Sequence, residues 1–237
     1  MKLDESEEAS GASCCYQATR HAAHPRCLAS HELDSAMSQK QHVHQFKVTL
    51  LEIEPRIWRR LLVPASYSFW DLHVAIQDSM GWLDYHLHLF RVTNPETGKL
   101  QEIGIPDDDP FEDDVVCMPG WEIPVADYFQ KAGTRAQYLY DFGDEWQHEV
   151  ELEAILERVP KKKYPICADG ARACPPEDCG GVPGYEDFLR IIADPTDEEY
   201  ESMRRWLGRP YDPNAFDPKK VRFDSPKKRW DFAFRGA

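Results

Sequence analysis

The stretch that most constrains the fold is a strict two-residue alternation between residues 136 and 153. In AQYLYDF, Tyr138, Tyr140 and Phe142 fall on one side. In WQHEVELE, Trp146, His148, Val150 and Leu152 fall on one side, and Glu145, Gln147, Glu149, Glu151 and Glu153 fall on the other. Side chains alternate across a strand, so this pattern calls for a hairpin with an aromatic face buried and an acidic face in water. Gly143-Asp144 supplies the turn. His148 then lies among aromatics, where a polar group without a partner costs on the order of 1–3 kcal/mol. A lone hairpin is marginal in water, so further strands and a cover for the aromatic face must come from elsewhere in the chain.

The rest of the chain offers them. VHQFKVTLLEI alternates with Phe46, Val48 and Leu50 on one face, and RIWRRLLVP reads as a second strand ended by Pro64, with Glu54-Pro55 between the two. Arg56, Arg59 and Arg60 around Trp58 read as the exposed face of an edge strand rather than as an anion-binding patch. Ser68 can cap a helix over FWDLHVAIQDSM, with Asp71 in its first turn and Gly81 just past its end; Phe69, Leu72, Ile76 and Met80 form its buried stripe. YHLHLFRV is a strand with His86, His88, Phe90 and Val92 on one face, and LQEIGI is a shorter one. PGWEIPVADYF leads from a turn into a short helix. GYEDFLRIIAD and DEEYESMRRWLG are helices, the second opened by a capping box of Thr196 and Glu199 and stopped at Gly208. VRFDSPKKRWDF adds a strand or packs its aromatics on the outside. The expectation is an α+β fold: a single domain over residues 42–237, with an antiparallel sheet built from hairpins and flanking helices. Residues 1–41, rich in Ser, Ala, His and Glu and without periodicity, read as a disordered leader.

Composition narrows the function classes. No apolar run approaches the roughly 20 residues that span a bilayer, so no membrane role is expected. No basic segment followed by an apolar run opens the chain, and seven cysteines is an odd number, so a reducing cytoplasm with free or metal-bound thiols is expected. A net charge of -14 argues against a protein that coats nucleic acid. The balance reverses only from Lys219 to Arg235, with seven Lys or Arg against two Asp. That end is where a nucleic acid would bind, although a solvated tail is the simpler reading. DDDPFEDD lacks the glycine and the closing glutamate of an EF-hand loop and reads as a solvated acidic loop.

Candidate chemistry concentrates after the hairpin. Cys167, Cys174 and Cys179 lie within thirteen residues, and Gly170, Pro175, Pro176, Gly180 and Gly181 let that loop fold back so that the sulfurs converge. Thiolates suit structural zinc, which takes four N or S ligands. His148 is the first choice for the fourth ligand; His86 and His88, a His-x-His pair, are the alternatives. Two other readings stand beside the metal: inert buried thiols, and a reactive thiol that neighbouring Glu177 and Asp178 would disfavour. Asp141, Asp144 and Glu145 beside His148 could serve as acid or base, though Asp at a turn more often binds local backbone. Nucleotide-binding, serine-hydrolase and H-E-x-x-H signatures are absent from the sequence.

The segments LLEIEPRIWRRLLVPASYSFWDLHVAIQDSMGWLDYHLHLF, IGIPDDD, YDFGDEWQHEV and YPICADGARACPPEDCGGVPGYEDF together resemble the plasmid pRiA4b ORF-3-like family, also grouped with TnpR-like passenger proteins of an insertion element. The resemblance runs from about Val43 to Phe223. It implies an α+β domain and a link to mobile elements, and it assigns no reaction, because the family is uncharacterised. Resolvase activity does not follow, since no Ser or Tyr nucleophile set among arginines stands out. The expected function is therefore a soluble binding or accessory module with an unknown protein or small-molecule partner and a Cys/His zinc site. The alternatives are a metal-dependent enzyme with a His/carboxylate cleft and a DNA-binding accessory protein.

Overall fold

The computed structural model describes residues 41–106 and 116–235. The expected leader up to residue 40 and the acidic loop at 107–115 lie outside them. The strands are β1 (His42–Leu50), β2 (Trp58–Pro64), β3 (His88–Thr93), β4 (Leu100–Gly104), β5 (Met118–Pro119), β6 (Arg135–Tyr140), β7 (Trp146–Glu157) and β8 (Ile166–Ala171). They form one sheet in the order β5-β4-β3-β6-β7-β1-β2-β8. The helices are α1 (Phe69–Met80), α2 (Val125–Tyr128), α3 (Gly181–Ala193), α4 (Tyr200–Leu207) and α5 (Pro226–Arg235).

The fold is a mixture of helices with a mostly antiparallel sheet, and hairpins are only part of it. β1–β2, β3–β4 and β6–β7 are antiparallel pairs of consecutive strands. β3–β6, β1–β7 and β2–β8 join strands far apart in sequence, and β4–β5 is parallel. One face of the sheet is apolar, with Phe46, Val48, Leu61, Phe90, Tyr138, Val150 and Leu152 in a single core. The opposite face carries ion pairs: Arg60 bonds Glu153 through Nε at 2.6 Å and Nη2 at 2.9 Å, and Arg135 reaches Glu149 and Glu151. That is the division expected of an antiparallel sheet with one wet side.

Helix α1 lies against the apolar face, its Phe69 ring edge-on to Phe90 at 5.1 Å. Ser68 and Asp71 form a reciprocal capping box, and Gly81 ends the helix in a left-handed conformation with φ 86°. Both follow from the sequence. The second face of α1 is buried as well, because the C-terminal segment is neither a strand nor a loose tail. It is α5, begun by Pro226, whose fixed φ suits the first helical position. Trp70 donates its indole N–H to the Pro226 carbonyl at 3.0 Å and packs against Phe234, while Arg229 bonds Asp78 at 2.7 Å. The predicted box at Thr196 does not form: Thr196 bonds Asp194 instead, and α4 begins after Glu199 with no side-chain cap.

In the β6–β7 hairpin, His148 faces Tyr138 and Trp146 faces Tyr140, as the alternation requires. The loop between the strands is longer than the two residues expected. Glu145 N–H bonds the Asp141 carbonyl at 2.7 Å, and the left-handed residues are Asp141 (φ 59°) and Glu145 (φ 54°), not Gly143. Asp tolerates this conformation because its carboxylate bonds local backbone, here Gly143 N–H at 2.9 Å and Asp144 N–H at 3.3 Å. Since β6 ends at Tyr140, Phe142 leaves the buried face and is half exposed.

Candidate metal centre

Three loops meet at the end of the hairpin. Segment 82–87 precedes β3, the 141–145 loop joins β6 to β7, and the cysteine loop at 172–180 leads into α3. They are tied by specific bonds. The Glu177 carboxylate accepts from Leu83 N–H at 2.7 Å and makes a short bond with the Tyr140 hydroxyl. Asp144 accepts from Gly180 N–H at 3.0 Å, and the Trp82 indole donates to the Pro175 carbonyl at 3.1 Å. Trp82 also stacks on Tyr140 with ring centres 5.0 Å apart.

This junction brings together one residue from each loop. His86 Nε2 lies 2.8 Å from Asp178 Oδ1 and 3.5 Å from Asp141 Oδ2. One ligand atom from each residue lies within 4.8 Å of the other two, the only such group of three or more His, Cys, Asp or Glu among the described residues. Two donors each about 2.1 Å from an ion stand about 3.0 to 3.4 Å apart, depending on the coordination angle. The His86–Asp178 separation is shorter, that of a hydrogen bond, and the His86–Asp141 separation is slightly longer, so an ion would replace that hydrogen bond with small shifts of the side chains. Asp141 is buried and already oriented, because Gly143 and Asp144 occupy Oδ1 and leave Oδ2 directed to the site. Asp178 is the exposed member of the three, held in a left-handed backbone conformation with φ 55°. Were all three to bind an ion, coordination positions would stay open. The segments that supply His86 and Asp141 also expose Leu83, Tyr85, Leu87 and Phe142.

The other expected site residues are dispersed around this junction. His88 begins β3 and points into the core, separated from His86 by the start of the strand, so the pair does not offer two imidazoles to one ion. Its ring stacks on His73 with centres 3.5 Å apart and planes within 8°, and neither of its nitrogens has a partner among the described residues. Burial, then the nearby His73, pushes its pKa well down. His73 is held by Asp84 at Nε2 and by the Tyr138 hydroxyl at Nδ1, both at 2.8 Å, while Gln77 donates to the same hydroxyl. His148 Nδ1 donates to the Tyr138 carbonyl at 3.3 Å and Nε2 has no partner among the described residues; burial lowers its pKa to about 4. Asp144 spends its carboxylate on the cysteine loop, and Glu145 is exposed.

Cys167 lies on β8, its thiol donating to the Asp169 carbonyl at 3.5 Å. Cys174 is buried in the loop and Cys179 is half-buried beside α3. Burial pushes the Cys167 thiol up to about 11 and Cys179 to about 12, and raises Cys174 further. No three of Cys167, Cys174, Cys179 and His148 have ligand atoms within 4.8 Å of one another. Sequence reasoning named His86 and Asp141 but attached them to different sets, and it treated Asp178 only as a perturber of thiols. Asp178 had no local signal, since its partners lie 92 and 37 positions away.

Comparison with known proteins agrees with the fold and assigns no chemistry. The plasmid pRiA4b ORF-3-like protein family matches residues 42–220. The uncharacterized protein y4hQ of Sinorhizobium fredii is 33% identical over 167 residues, covering 70% of this chain and 81% of its own. MM3350 from Methanosarcina mazei Go1, solved by crystallography as a protein of unknown function, is 46% identical with a TM-score of 0.70, over 77% of this chain and 99% of that one. With its fold, its motifs and these relatives in agreement, the chain belongs to the plasmid pRiA4b ORF-3-like family.

Proposed function

We propose that this protein is a metal-dependent binding module in which His86, Asp141 and Asp178 hold one divalent transition ion, zinc being the first candidate. The observation that carries this reading is the meeting of three ligand atoms from three separate loops, one of them oriented by two backbone N–H groups. When bound, such an ion supplies Lewis acidity to an oxygen-bearing ligand. The exposed Leu83, Tyr85, Leu87 and Phe142 suit the apolar body of that ligand, a small molecule or a peptide side chain. If the ligand is turned over, the protein is a metal-dependent enzyme; if it is only held, an accessory module. Four free thiols among the described residues fit a reducing compartment, the cytoplasm. The basic end supports a nucleic-acid role less, because Lys227, Arg229 and Arg235 are ion-paired within the chain.

A second reading, structural zinc on Cys167, Cys174, Cys179 and His148, draws support from the loop chemistry alone, and one experiment separates the two. Zinc, cobalt and manganese are titrated into metal-free protein by calorimetry, for the parent, His86→Ala, Asp141→Asn and Cys174→Ser. Near-stoichiometric binding weakened about tenfold or more by His86→Ala and Asp141→Asn, and unchanged in Cys174→Ser, is the expected result. The reverse pattern would move the metal to the thiols. Metal binding releases protons from its ligands, so affinity is expected to fall as the pH drops.

A further inference from the structure

We propose that Arg59 forms the floor of an oxyanion-binding cleft, a second site that takes a small molecule carrying a phosphate or carboxylate group. Arg59 is not on the exposed face of an edge strand. β2 is covered by β8, and Arg59 shares the buried face of β2 with Leu61 and Val63, leaving it 1% exposed. Its Nε donates to the Ser79 carbonyl at 2.8 Å, and Nη1 donates to the carbonyls of Trp58 at 2.8 Å and Ala171 at 3.0 Å. The Phe216 ring covers its Cζ at 3.7 Å. Nη2 has no partner among the described residues, and no carboxylate pairs with Arg59 there. A buried cation without a counter-ion is costly, so either the fold bears that cost permanently or an anion arrives to relieve it.

The surroundings favour an arriving anion. Arg59 lines a cleft of about 640 Å³ between the end of α1, the cysteine loop and segment 209–221. That volume suits a small ligand. Arg209 and Lys220 line the same cleft, and neither makes an ion pair among the described residues. Of the acids that line it, Asp78 pairs with Arg229, while Glu177, Asp212 and Asp217 are held by hydrogen bonds alone, to Leu83 N–H and the Tyr140 hydroxyl, to Asn214 N–H and to Lys219 N–H. The groups closest to Arg59 electrostatically are Cys174, Cys167 and Tyr211, whose pKa values burial raises, so they stay neutral and leave the cation uncompensated. Arg59, Arg209 and Lys220 make no ion pair among the described residues and share one cleft, and the buried, fork-shaped Arg59 is the group an oxyanion would engage.

The test is calorimetric titration of the full chain with inorganic phosphate and, separately, with succinate, at neutral pH and constant ionic strength set with chloride. One saturable site for at least one ion is expected, and the preferred ion names the ligand group. The Arg209→Gln, Lys220→Gln double variant alters only exposed side chains and should weaken binding about tenfold. Arg59→Lys keeps the charge but loses the planar fork, and should weaken it at least as much; if that variant does not fold, the double variant decides alone. His86→Ala should bind the anion as the parent does, which keeps this site separate from the metal reading. Absence of saturable binding by either ion, or full binding by the double variant, overturns the proposal.

Discussion

Acidification from pH 6.5 towards pH 4 is expected to remove several kcal/mol of folding stability, chiefly through His148, His88 and His44. All three imidazoles are buried, and burial is the first cause of each lowered pKa, to about 4 for His148 and His44 and well down for His88; His42 adds to the shift of His44 and His73 to that of His88. Around His148 stand Trp82, the Tyr138 ring and the Tyr138 carbonyl, with no carboxylate among its recorded partners. The sign follows from proton counting. Between pH 6.5 and 4 the unfolded chain binds protons that the folded chain refuses, so stability is complete above the unfolded pKa and is lost as the pH falls through this window. Each fully buried group contributes up to about 1.4 kcal/mol per pH unit, and His44, nearer the sheet edge, less. Asp71 and Asp78, whose pKa values burial raises, take up protons when folded and offset part of the loss near the bottom of the window. Urea unfolding of metal-free protein at stepped pH measures the slope. His148→Phe, which keeps the ring volume and removes the titration, should flatten it by about a third; an unchanged slope would place the acid sensitivity elsewhere.

Gly184→Ala is expected to destabilise the protein by about 2–4 kcal/mol and to weaken metal binding as well. The reason is proximity: a Cβ at residue 184 would sit 1.9 Å from the Cys179 carbonyl oxygen, inside any allowed contact. Either the first turn of α3 opens or the loop holding Asp178 moves. A Cβ on Gly181 would meet the Asp144 carbonyl at 2.6 Å, so the two glycines let the cysteine loop press against both the helix and the hairpin. Glu186→Ala, exposed on the same helix, should change stability by less than about 0.5 kcal/mol and serves as the control. Equal effects of the two substitutions would mean that the loop yields freely and that its glycines do not position Asp178.

Local chemistry made much of the fold legible. The alternation of β1 and β7, the Ser68 cap and the Gly81 stop are written within a few residues of where they act. The order of the sheet is not: β1 lies between β2 and β7, and β8 closes an edge more than 100 positions from its partner. Such neighbours leave no periodic trace. The candidate site was half legible for the same reason, because His86 and Asp141 attract notice as residue types while only tertiary contact assembles them with Asp178. Arg59 is different. It stands two residues before Leu61 and four before Val63, so the two-residue period of a strand sets this guanidinium on their side. The habit of reading arginine as a surface residue overrode the pattern.

Helix α5 has a consequence for how the molecule should be divided. The family match stops at residue 220, six positions before α5 begins. Yet α5 seals the second face of α1, receives the Trp70 N–H and gives Arg229 to Asp78 and Asp84, the latter being the carboxylate that orients His73. A chain cut where the shared region ends would uncover Trp70 and leave Asp78 and Asp84 without Arg229. The region shared with the family and the cover of α1 therefore end at different residues.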